Sequence, residues 1–413
     1  MLEEQEHFVI GAGPIGRAIA LQLALADAGP IAVVDQQESA LNAARKILSA
    51  SQTCVRFDSV IDVGDATQRA RSIVLAMAWR ECRGIFDHLT RALRSAGMNT
   101  PIICVGRPDI EDPSIRTLDR NGPVALLGAG LEPGFVESLS SLIAAEFGDL
   151  RRLATHCGGI PALPEPPLNH AISFGRRLPV EQRTALARID GRIVARERFE
   201  TAAPLFLEGV GLLEAYDDAM LKSTAEEALA GIPELRQRTL RWPGFVESVR
   251  SLHRLGLVSE DPVEIGSSRM AVRDAMEILL NRNLSVSAEV QVVVNADVED
   301  STGQAGQWTA VIRSAPGQPI SAMALATAVP VVAAIEILPR LGLRGPILPH
   351  EPALAEVAMS TLLRLRSDPD ARIVERSSGK LKTSKNLGDS NAKTKDTASR
   401  QRAGKSCTPH LSR

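Results

Sequence analysis

Aromatic residues are scarce in this chain: it has nine Phe, three Trp and one Tyr among 413 residues. Proteins that bind single-stranded nucleic acids usually stack bases on aromatic side chains, so this shortage argues against that class. An excess of charge of one sign is also missing, because 47 Lys and Arg oppose 49 Asp and Glu and leave a formal net charge of −2. We therefore expect no nucleic-acid partner.

Paired cysteines and a long apolar span are missing as well. The five cysteines are widely spaced, without a Cys-x-x-Cys pair, which favours free thiols in a reducing compartment. The acidic N-terminus does not resemble a signal peptide. The longest nearly apolar stretch, 322–335, contains two Thr and one Pro and is too short to span ~30 Å of hydrocarbon. We expect a soluble, cytoplasmic protein without a membrane partner. The seven histidines show no metal-ligand spacing, so we expect no metal site.

The first third of the chain alternates short apolar runs with longer helical segments. Such a pattern indicates a parallel sheet covered by helices on both faces, which is the doubly wound, or Rossmann, dinucleotide-binding fold. The sequence predicts this domain over residues 1–130. Its six predicted strands lie at 8–10, 31–34, 54–57, 73–77, 102–105 and 124–127.

The pattern changes after residue 130. Pro- and Gly-rich loops, helices and the alternating runs 286–298 and 308–313 predict an α+β domain with a mixed or antiparallel sheet over 131–328. Helical segments in 329–366 are expected to return to the first domain. Residues 367–413 contain 11 basic and 5 acidic residues and few apolar ones, which predicts a disordered basic tail.

A glycine-rich turn carries the strongest chemical signal. The motif G-x-G-x-x-G directly follows the first strand and opens a helix, and its residues are Gly11, Gly13, Pro14, Ile15 and Gly16. Gly11 permits the tight turn, Gly13 lets the backbone approach a pyrophosphate, and Gly16 lets the helix pack close to the sheet. The helix N-terminus then favours the phosphate charge.

Asp35 ends the second strand, 35 − 16 = 19 residues after the last glycine of that motif. A carboxylate there accepts hydrogen bonds from the ribose hydroxyls and repels a 2′-phosphate, so we expect NAD as the cofactor rather than NADP. Asp58 follows the third strand, and Ala76 and Met77 end the fourth. We expect these three residues at the same cofactor-binding edge of the sheet.

From residue 128 onward, a series of motifs resembles the saccharopine dehydrogenase and lysine 6-dehydrogenase family. The resemblance covers about residues 7–360. Its motifs follow in the family's order, and they are GAGLEPG (128–134), CGGIP (157–161), PEPPLNH (164–170), GLLEAY (211–216), TLRWPG (239–244), AMA (322–324) and PHE (349–351). The resemblance implies a two-domain, usually dimeric enzyme that moves a hydride between NAD(P) and a carbon bonded to nitrogen. Lysine, saccharopine and related amino acids are substrates of that kind.

Four positions depart from the family pattern. Trp242 and Phe245 stand where the family commonly has Tyr and His, and Leu325 stands where it has Arg. Glu137 occupies a position where lysine dehydrogenases tend to have Asn. Two polar groups are lost and one carboxylate is gained, which affects the choice of substrate more than the class of reaction.

Oxidation at an amine carbon needs a base, because the ammonium must lose a proton before hydride leaves. Our first candidate is His156, since an imidazole titrates near neutral pH. Glu132 and Tyr216 are the next candidates, and Tyr216 is the only tyrosine in the chain.

An arginine is the natural partner of an amino acid's carboxylate, because its fork matches two oxygens. Arg241 is our first choice, followed by Arg177 and its neighbour Arg176. Gly158 and Gly159 are further candidates for substrate binding. The segment PGFVES occurs twice, at 133–138 and 243–248, each time before an apparent helix. These two helix N-termini are candidates for binding a carboxylate or phosphate.

The sequence predicts an NAD-dependent amino-acid oxidoreductase acting on a C–N bond, with a homodimer as the expected assembly. Two alternatives remain open. A carboxylated-polyamine dehydrogenase of the same architecture would favour an acidic pocket, as Glu132 and Glu137 suggest. An NAD-binding sensor or scaffold without turnover is compatible with the apolar residues Phe245 and Leu325.

Overall fold

The computed structural model describes residues 5–108, 115, 120–164, 180, 182–218, 229–283, 290–314, 318–368 and 371–387. Within them the strands, numbered in chain order, are β1 Glu6–Ile10, β2 Ile31–Val34, β3 Val55–Asp58, β4 Ala70–Leu75, β5 Ile102–Cys104, β6 Ala125–Leu127, β7 Leu150–Pro161, β8 Thr184–Ile189, β9 Arg192–Glu197, β10 Ala202–Leu207, β11 Gly211–Asp217, β12 Glu234–Arg241, β13 Pro262–Ile265, β14 Ser268–Ala271, β15 Val290–Asp300, β16 Ala305–Ser314, β17 Pro346–Ile347 and β18 Ala371–Gly379. The helices are α1 Pro14–Leu25, α2 Glu38–Leu48, α3 Val63–Arg69, α4 Trp79–Ser95, α5 Phe135–Glu146, α6 Phe245–Arg254, α7 Val272–Asn283, α8 Ala322–Leu341 and α9 Ala355–Ser367.

The first sheet is parallel and has the strand order β3-β2-β1-β4-β5-β6-β17. Alternate residues of β1 face opposite cores: Val9 packs with α1, α2 and α8, whereas Phe8 and Ile10 pack with α3 and α4. The strand order reverses beside β1, as in dinucleotide-binding folds. The predicted doubly wound domain is confirmed.

The second sheet is mixed, which confirms the predicted class of the second domain. Its main path is β10-β11-β12-β7-β15-β16-β18, and β8 and β9 extend it from β12. The central strand β7 is parallel to β12 and antiparallel to β15. One face of this sheet carries Leu153, Leu235 and Trp308 and packs against α5, α8 and α9; we call it the helix face. The part of the predicted run at 286–289 lies outside the described residues.

Helix α8 belongs to both hydrophobic cores. Its residues Leu325 and Val329 pack in the core of the second sheet, while Ala324, Ala328 and Val331 pack in the core of the first. By length and composition this 20-residue helix is apolar enough to cross a membrane, but 89% of its most apolar window is buried inside the protein. Such extensive burial is typical of a helix in the core of a globular protein.

The prediction of a disordered tail from residue 367 is wrong for its first part. Strand β18 pairs with β16 along its whole length, and a 3₁₀ turn at Lys380–Thr383 follows it. Leu381 and Leu387 are buried against the helix-face core, and both carboxylate oxygens of Glu375 accept hydrogen bonds from Arg366. Only alternate residues of β18, such as Ala371 and Ile373, pack against the core, so the composition of this strand is close to that of a loop. Residues 388–413 lie outside the described part.

Candidate active site

The glycine-rich turn has the geometry that a dinucleotide needs. Gly11 adopts φ +102°, a conformation that favours glycine. A Cβ on Gly16 would lie 1.7 Å from the carbonyl oxygen of Gly11, so only glycine lets α1 approach the turn this closely. A Cβ on Gly13 would meet no atom within 4 Å, which leaves space for a ligand beside the N-terminus of α1. Pro14 and Ile15 begin that helix.

Asp35 lies at the carboxyl end of β2 beside this turn. Its Oδ2 accepts a hydrogen bond from the backbone N of Ala12 at 2.7 Å, and its Oδ1 accepts one from Gln37 N at 2.8 Å. Asp58 ends the neighbouring strand β3, where its carboxylate pairs with Arg56 at 2.6 Å. Ala76 and Met77 directly follow β4, and a Cβ on Gly11 would lie 2.8 Å from the carbonyl oxygen of Ala76 and 3.3 Å from Cε of Met77. The predicted cofactor residues therefore share one edge of the first sheet.

A cluster of polar side chains lies on the helix face, next to the loop that leaves β6. Gln237, Thr239 and Arg241 alternate along β12 and share this face, and Tyr216 lies opposite Thr239 on β11. Glu132 comes from the loop after β6, and Glu137 comes from the first turn of α5. Since β6 belongs to the first sheet and β12 to the second, the cluster lies where the two sheets meet.

One amide group joins the two carboxylates of this cluster. Nε2 of Gln237 donates to Oε1 of Glu132 at 2.7 Å and to Oε1 of Glu137 at 3.0 Å. Burial raises the pKa of Glu132 to about 7, and the charges of Asp218 and Glu137 act in the same direction, against Arg107 and the hydrogen bond from Gln237. A carboxyl group with this pKa can give and take a proton near neutral pH.

Asp218 holds the neighbouring strands together. It accepts hydrogen bonds from Arg183, Arg198 and Thr239, and it is 3% exposed. Although burial acts to raise its pKa, the two arginines and Thr239 hold the pKa of Asp218 well below its usual range. The carboxylate of Asp218 therefore stays ionised, and the positive charges of its arginine partners balance its negative charge.

Arg241 and Tyr216 present polar groups without a partner in the described part of the chain. Nη1 of Arg241 donates to the carbonyl oxygen of Leu240, but its buried Nε and the buried hydroxyl of Tyr216 have no hydrogen-bond partner there. Burial raises the pKa of Tyr216, and Arg241 and Arg198 are close enough to oppose that rise. A buried guanidinium that forms no ion pair with a described carboxylate is suited to an anionic group of a ligand.

Phe245, where the resemblance implies His, supports this guanidinium: its ring centroid lies 5.4 Å from Cζ of Arg241. Leu325, where the resemblance implies Arg, is 1% exposed in the helix-face core. Both departures therefore have an apolar packing role.

His156, our first candidate for the base, does not face this cluster. Side chains alternate along β7, and Cys157 points to the helix face, so His156 points to the opposite face. There its Nδ1 lies 2.9 Å from Oδ1 of Asn295, and burial lowers its pKa to about 4. The geometry removes His156 from the candidate bases and leaves Glu132 and Tyr216.

The two glycines of β7 also lie on opposite faces of the second sheet. Gly158 is on the opposite face, where a Cβ would lie 2.4 Å from the carbonyl oxygen of Leu240, so it serves strand packing. Gly159 follows on the helix face, and its role in substrate binding stays a prediction. Arg176 and Arg177 lie outside the described residues.

The two repeated helix N-termini are not free to bind an anion. At α5, the backbone N of Gly134 donates to Oε2 of Glu137 at 2.7 Å. At α6, the backbone N atoms of Gly244 and Val246 donate to Glu214 at 3.1 and 2.7 Å. The expectation of two anion sites is wrong because carboxylates of the chain itself already cap both helices.

Sequence reasoning missed Gln237, Asp218 and Arg107. The period-2 pattern of a strand would have placed Gln237 on the same face as Arg241. Arg107 lies three residues after the end of β5, at the edge where ligands of doubly wound sheets bind. Burial, with Arg183, lowers the pKa of Arg107, while Glu132, Glu137 and Asp218 oppose the change. Among the described residues no group of three or more His, Cys, Asp or Glu side chains is placed to hold a metal ion.

The fold and the cluster define a two-domain protein built on a dinucleotide-binding sheet, with a buried acid and arginine site next to it. A family model described as the saccharopine dehydrogenase C-terminal domain matches residues 130–368. This match covers more than half of the chain, so the protein belongs to the saccharopine dehydrogenase family.

A curated protein sequence and a solved structure, both from Saccharomyces cerevisiae, illustrate the similarity. Saccharopine dehydrogenase [NADP(+), L-glutamate-forming] is 29% identical over 185 residues, which span 40% of this chain and 41% of that protein. The solved structure of the apo, histidine-tagged saccharopine dehydrogenase (L-Glu forming) aligns with a TM-score of 0.66 at 17% identity, over 91% of this chain and all of that one. A lactate dehydrogenase from Cryptosporidium parvum aligns with a TM-score of only 0.26 at 16% identity, over 47% of this chain and 58% of that one.

Proposed function

We propose that this protein is a nicotinamide-dinucleotide-dependent oxidoreductase that acts on the C–N bond of an amino acid. The observation that carries the proposal is one cluster that contains Glu132, whose pKa is raised to about 7, and the groups of Arg241 and Tyr216 that have no hydrogen-bond partner in the described part of the chain. Glu132 is suited to take a proton from an ammonium, and Arg241 and Tyr216 are suited to hold a carboxylate. An amino acid carries both groups.

The chemistry divides between the two domains. The glycine-rich turn and Asp35 would hold the dinucleotide, whose oxidised nicotinamide accepts a hydride from the substrate carbon. Glu132 is the proposed base that takes the proton from the substrate nitrogen, and Arg241 orients the substrate through its carboxylate. Tyr216 adds a hydroxyl beside Arg241. Its buried, aromatic setting, with the ring of Phe199 4.9 Å away, favours an orienting role over proton transfer.

We propose NAD as the cofactor, because the carboxylate of Asp35 is fixed at the carboxyl end of β2, where the ribose would bind, and would repel a 2′-phosphate. NADP is the alternative. It is supported by the NADP(+) named for the yeast relative. It is also supported by Arg17, a cation close to Asp35: burial lowers the pKa of Arg17, and the negative charge of Asp35 opposes this change.

A second candidate substrate class is a carboxylated polyamine. Glu132 and Glu137 place two carboxylates side by side, which favours a substrate with an additional amine. A sensor or scaffold without turnover is the non-enzymatic alternative, and the apolar replacements at Phe245 and Leu325 support it. We further propose a cytoplasmic location; the four described cysteines, Cys54, Cys82, Cys104 and Cys157, form no disulfide, which supports a reducing compartment.

The test is turnover with a panel of amino acids and polyamines, measured as NADH absorbance. We expect oxidation of an amino acid, and we expect Glu132→Gln to lower kcat by about 10²- to 10⁴-fold because a general base is lost. His156→Gln, which changes a titratable group on the opposite face of the sheet, is the matched control and should retain turnover. Dinucleotide binding without oxidation of any panel member would favour the sensor.

The pH dependence provides a further check. Since a base must be unprotonated and the pKa of Glu132 is raised to about 7, kcat/KM should rise with pH through that value. A rise centred near the ordinary glutamate value of 4.5 would contradict Glu132 as the base.

A further inference from the structure

Gln237 uses one NH₂ group to hold two carboxylates. An amide nitrogen has two hydrogens to donate, and both are used here: one goes to Oε1 of Glu132 and the other to Oε1 of Glu137. Gln237 is 3% exposed, so water does not compete freely for these bonds. Its amide therefore ties the loop after β6 to α5 through the second sheet.

Glu137 is the fixed end of this bridge. It is fully buried, and its other oxygen accepts the backbone N–H of Gly134 at the start of α5. Glu132 is the other end of the bridge: it lies in the turn after β6 and is partly exposed. In the described part of the chain, its Oε1 accepts the hydrogen bond from Gln237, and its Oε2 accepts none.

We infer that Gln237 is a positioning residue for the proposed base: it anchors Oε1 of Glu132 to the buried Glu137 and leaves Oε2 to face the substrate ammonium. The inference rests on the proposed function, in which Glu132 takes the substrate proton. Gln237 takes no proton itself. Its N–H bond favours the charged carboxylate and so limits the rise in the pKa of Glu132 that burial causes.

The test is Gln237→Met, which keeps the length and approximate volume of the side chain but has no donor. The measured quantity is the titration midpoint of Glu132 in pH-difference infrared spectra, with Glu132→Gln identifying its band. We expect the midpoint to rise by about one pH unit or more, since a hydrogen bond to the charged form is lost. An unchanged midpoint would overturn the inference.

Gln291→Met is the matched control. Gln291 is 1% exposed in the same sheet but faces the opposite side, where its Oε1 accepts a hydrogen bond from Arg313. This variant should leave the Glu132 midpoint unchanged. If Gln237→Met does not fold, Gln237→Asn serves instead, because its shorter amide cannot reach both carboxylates and should give a rise in the same direction.

The infrared titration needs no turnover, so it separates this inference from the proposed function. A rise in the Gln237 variant without oxidation of any amine would support the role of Gln237 and reject the function. Turnover without a rise would reject the role of Gln237 alone. Where turnover is present, the acidic limb of kcat/KM should move upward in the Gln237 variant while the dissociation constant of the dinucleotide stays constant.

Discussion

Replacing Arg241 with Met should remove recognition of the substrate carboxylate and leave the rest of the reaction intact. The guanidinium has a buried Nε without a partner in the described residues, and its Nη1 is held by the carbonyl oxygen of Leu240. A fork oriented in this way can give a carboxylate two charge-assisted hydrogen bonds. At about 1.5 kcal/mol or more each, their loss amounts to about 3 kcal/mol. This corresponds to a decrease in kcat/KM of roughly 100-fold.

The assay compares two substrates in two proteins: the amino acid that the panel identifies and its decarboxylated amine. Wild type should prefer the amino acid, and Arg241→Met should reduce that preference by about 100-fold, because only one of the two substrates offers a partner to the arginine. The dissociation constant of the dinucleotide should stay nearly constant. Met keeps part of the packing on Phe245, so the cost in folding stability should be about 1 kcal/mol.

Arg238→Met is the control, since Arg238 lies on the opposite face of the same strand and pairs with Asp217 at 2.9 Å. It should not alter the preference between the two substrates. The reasoning would be refuted if Arg241→Met lowered kcat/KM equally for both substrates, or for neither.

Three further predictions concern the cofactor, the C-terminal strand and the assembly. Asp35→Ser combined with Gln36→Arg should move the preference from NAD toward NADP by one or more orders of magnitude, about 1.4 kcal/mol each. The measurement is the dissociation constants of both dinucleotides, compared with those of wild type and of Gln36→Arg alone. If wild type already binds NADP as tightly as NAD, the prediction fails. Truncation after Ser367 should lower Tm by several degrees, because it removes the buried side chains of Leu381 and Leu387, whose burial contributes about 1.5–3 kcal/mol each. Truncation after Leu387 is the control and should leave Tm unchanged. Equal Tm values for the two truncated proteins would contradict this prediction. Light scattering should give a homodimer of about 88 kDa, twice the chain mass of 44.2 kDa, and a monomer at micromolar concentration would be evidence against it.

Buried parallel strands were the easiest part of the fold to predict. Strand β2 was predicted at its observed bounds, 31–34, because both of its faces are buried and every residue is apolar. The edge strand β18 was missed for the opposite reason: only alternate residues such as Ile373 contact the core, and polar residues occupy the other face.

The site was harder to predict because strand β7 is buried on both faces from Leu153 to Pro161. When both faces are covered, hydrophobic alternation no longer shows which residues point to the ligand. His156 and Cys157 were therefore indistinguishable until the helices around the sheet were known. Gln237 depends on contacts with Glu132 and Glu137, which are 105 and 100 residues away, and no local pattern encodes them.

Because α8 contributes side chains to both hydrophobic cores, neither domain can lose its packing without exposing part of the other. Thermal unfolding should therefore be a single cooperative transition for the described parts of the two domains. Because the cores are coupled, a ligand bound at the first sheet should also stabilise the second sheet against unfolding. A dinucleotide at 100 times its dissociation constant would stabilise the folded state by about 2.7 kcal/mol. Amide hydrogens of β7 and β12, which do not line the glycine-rich turn, should then exchange more slowly when the dinucleotide is bound.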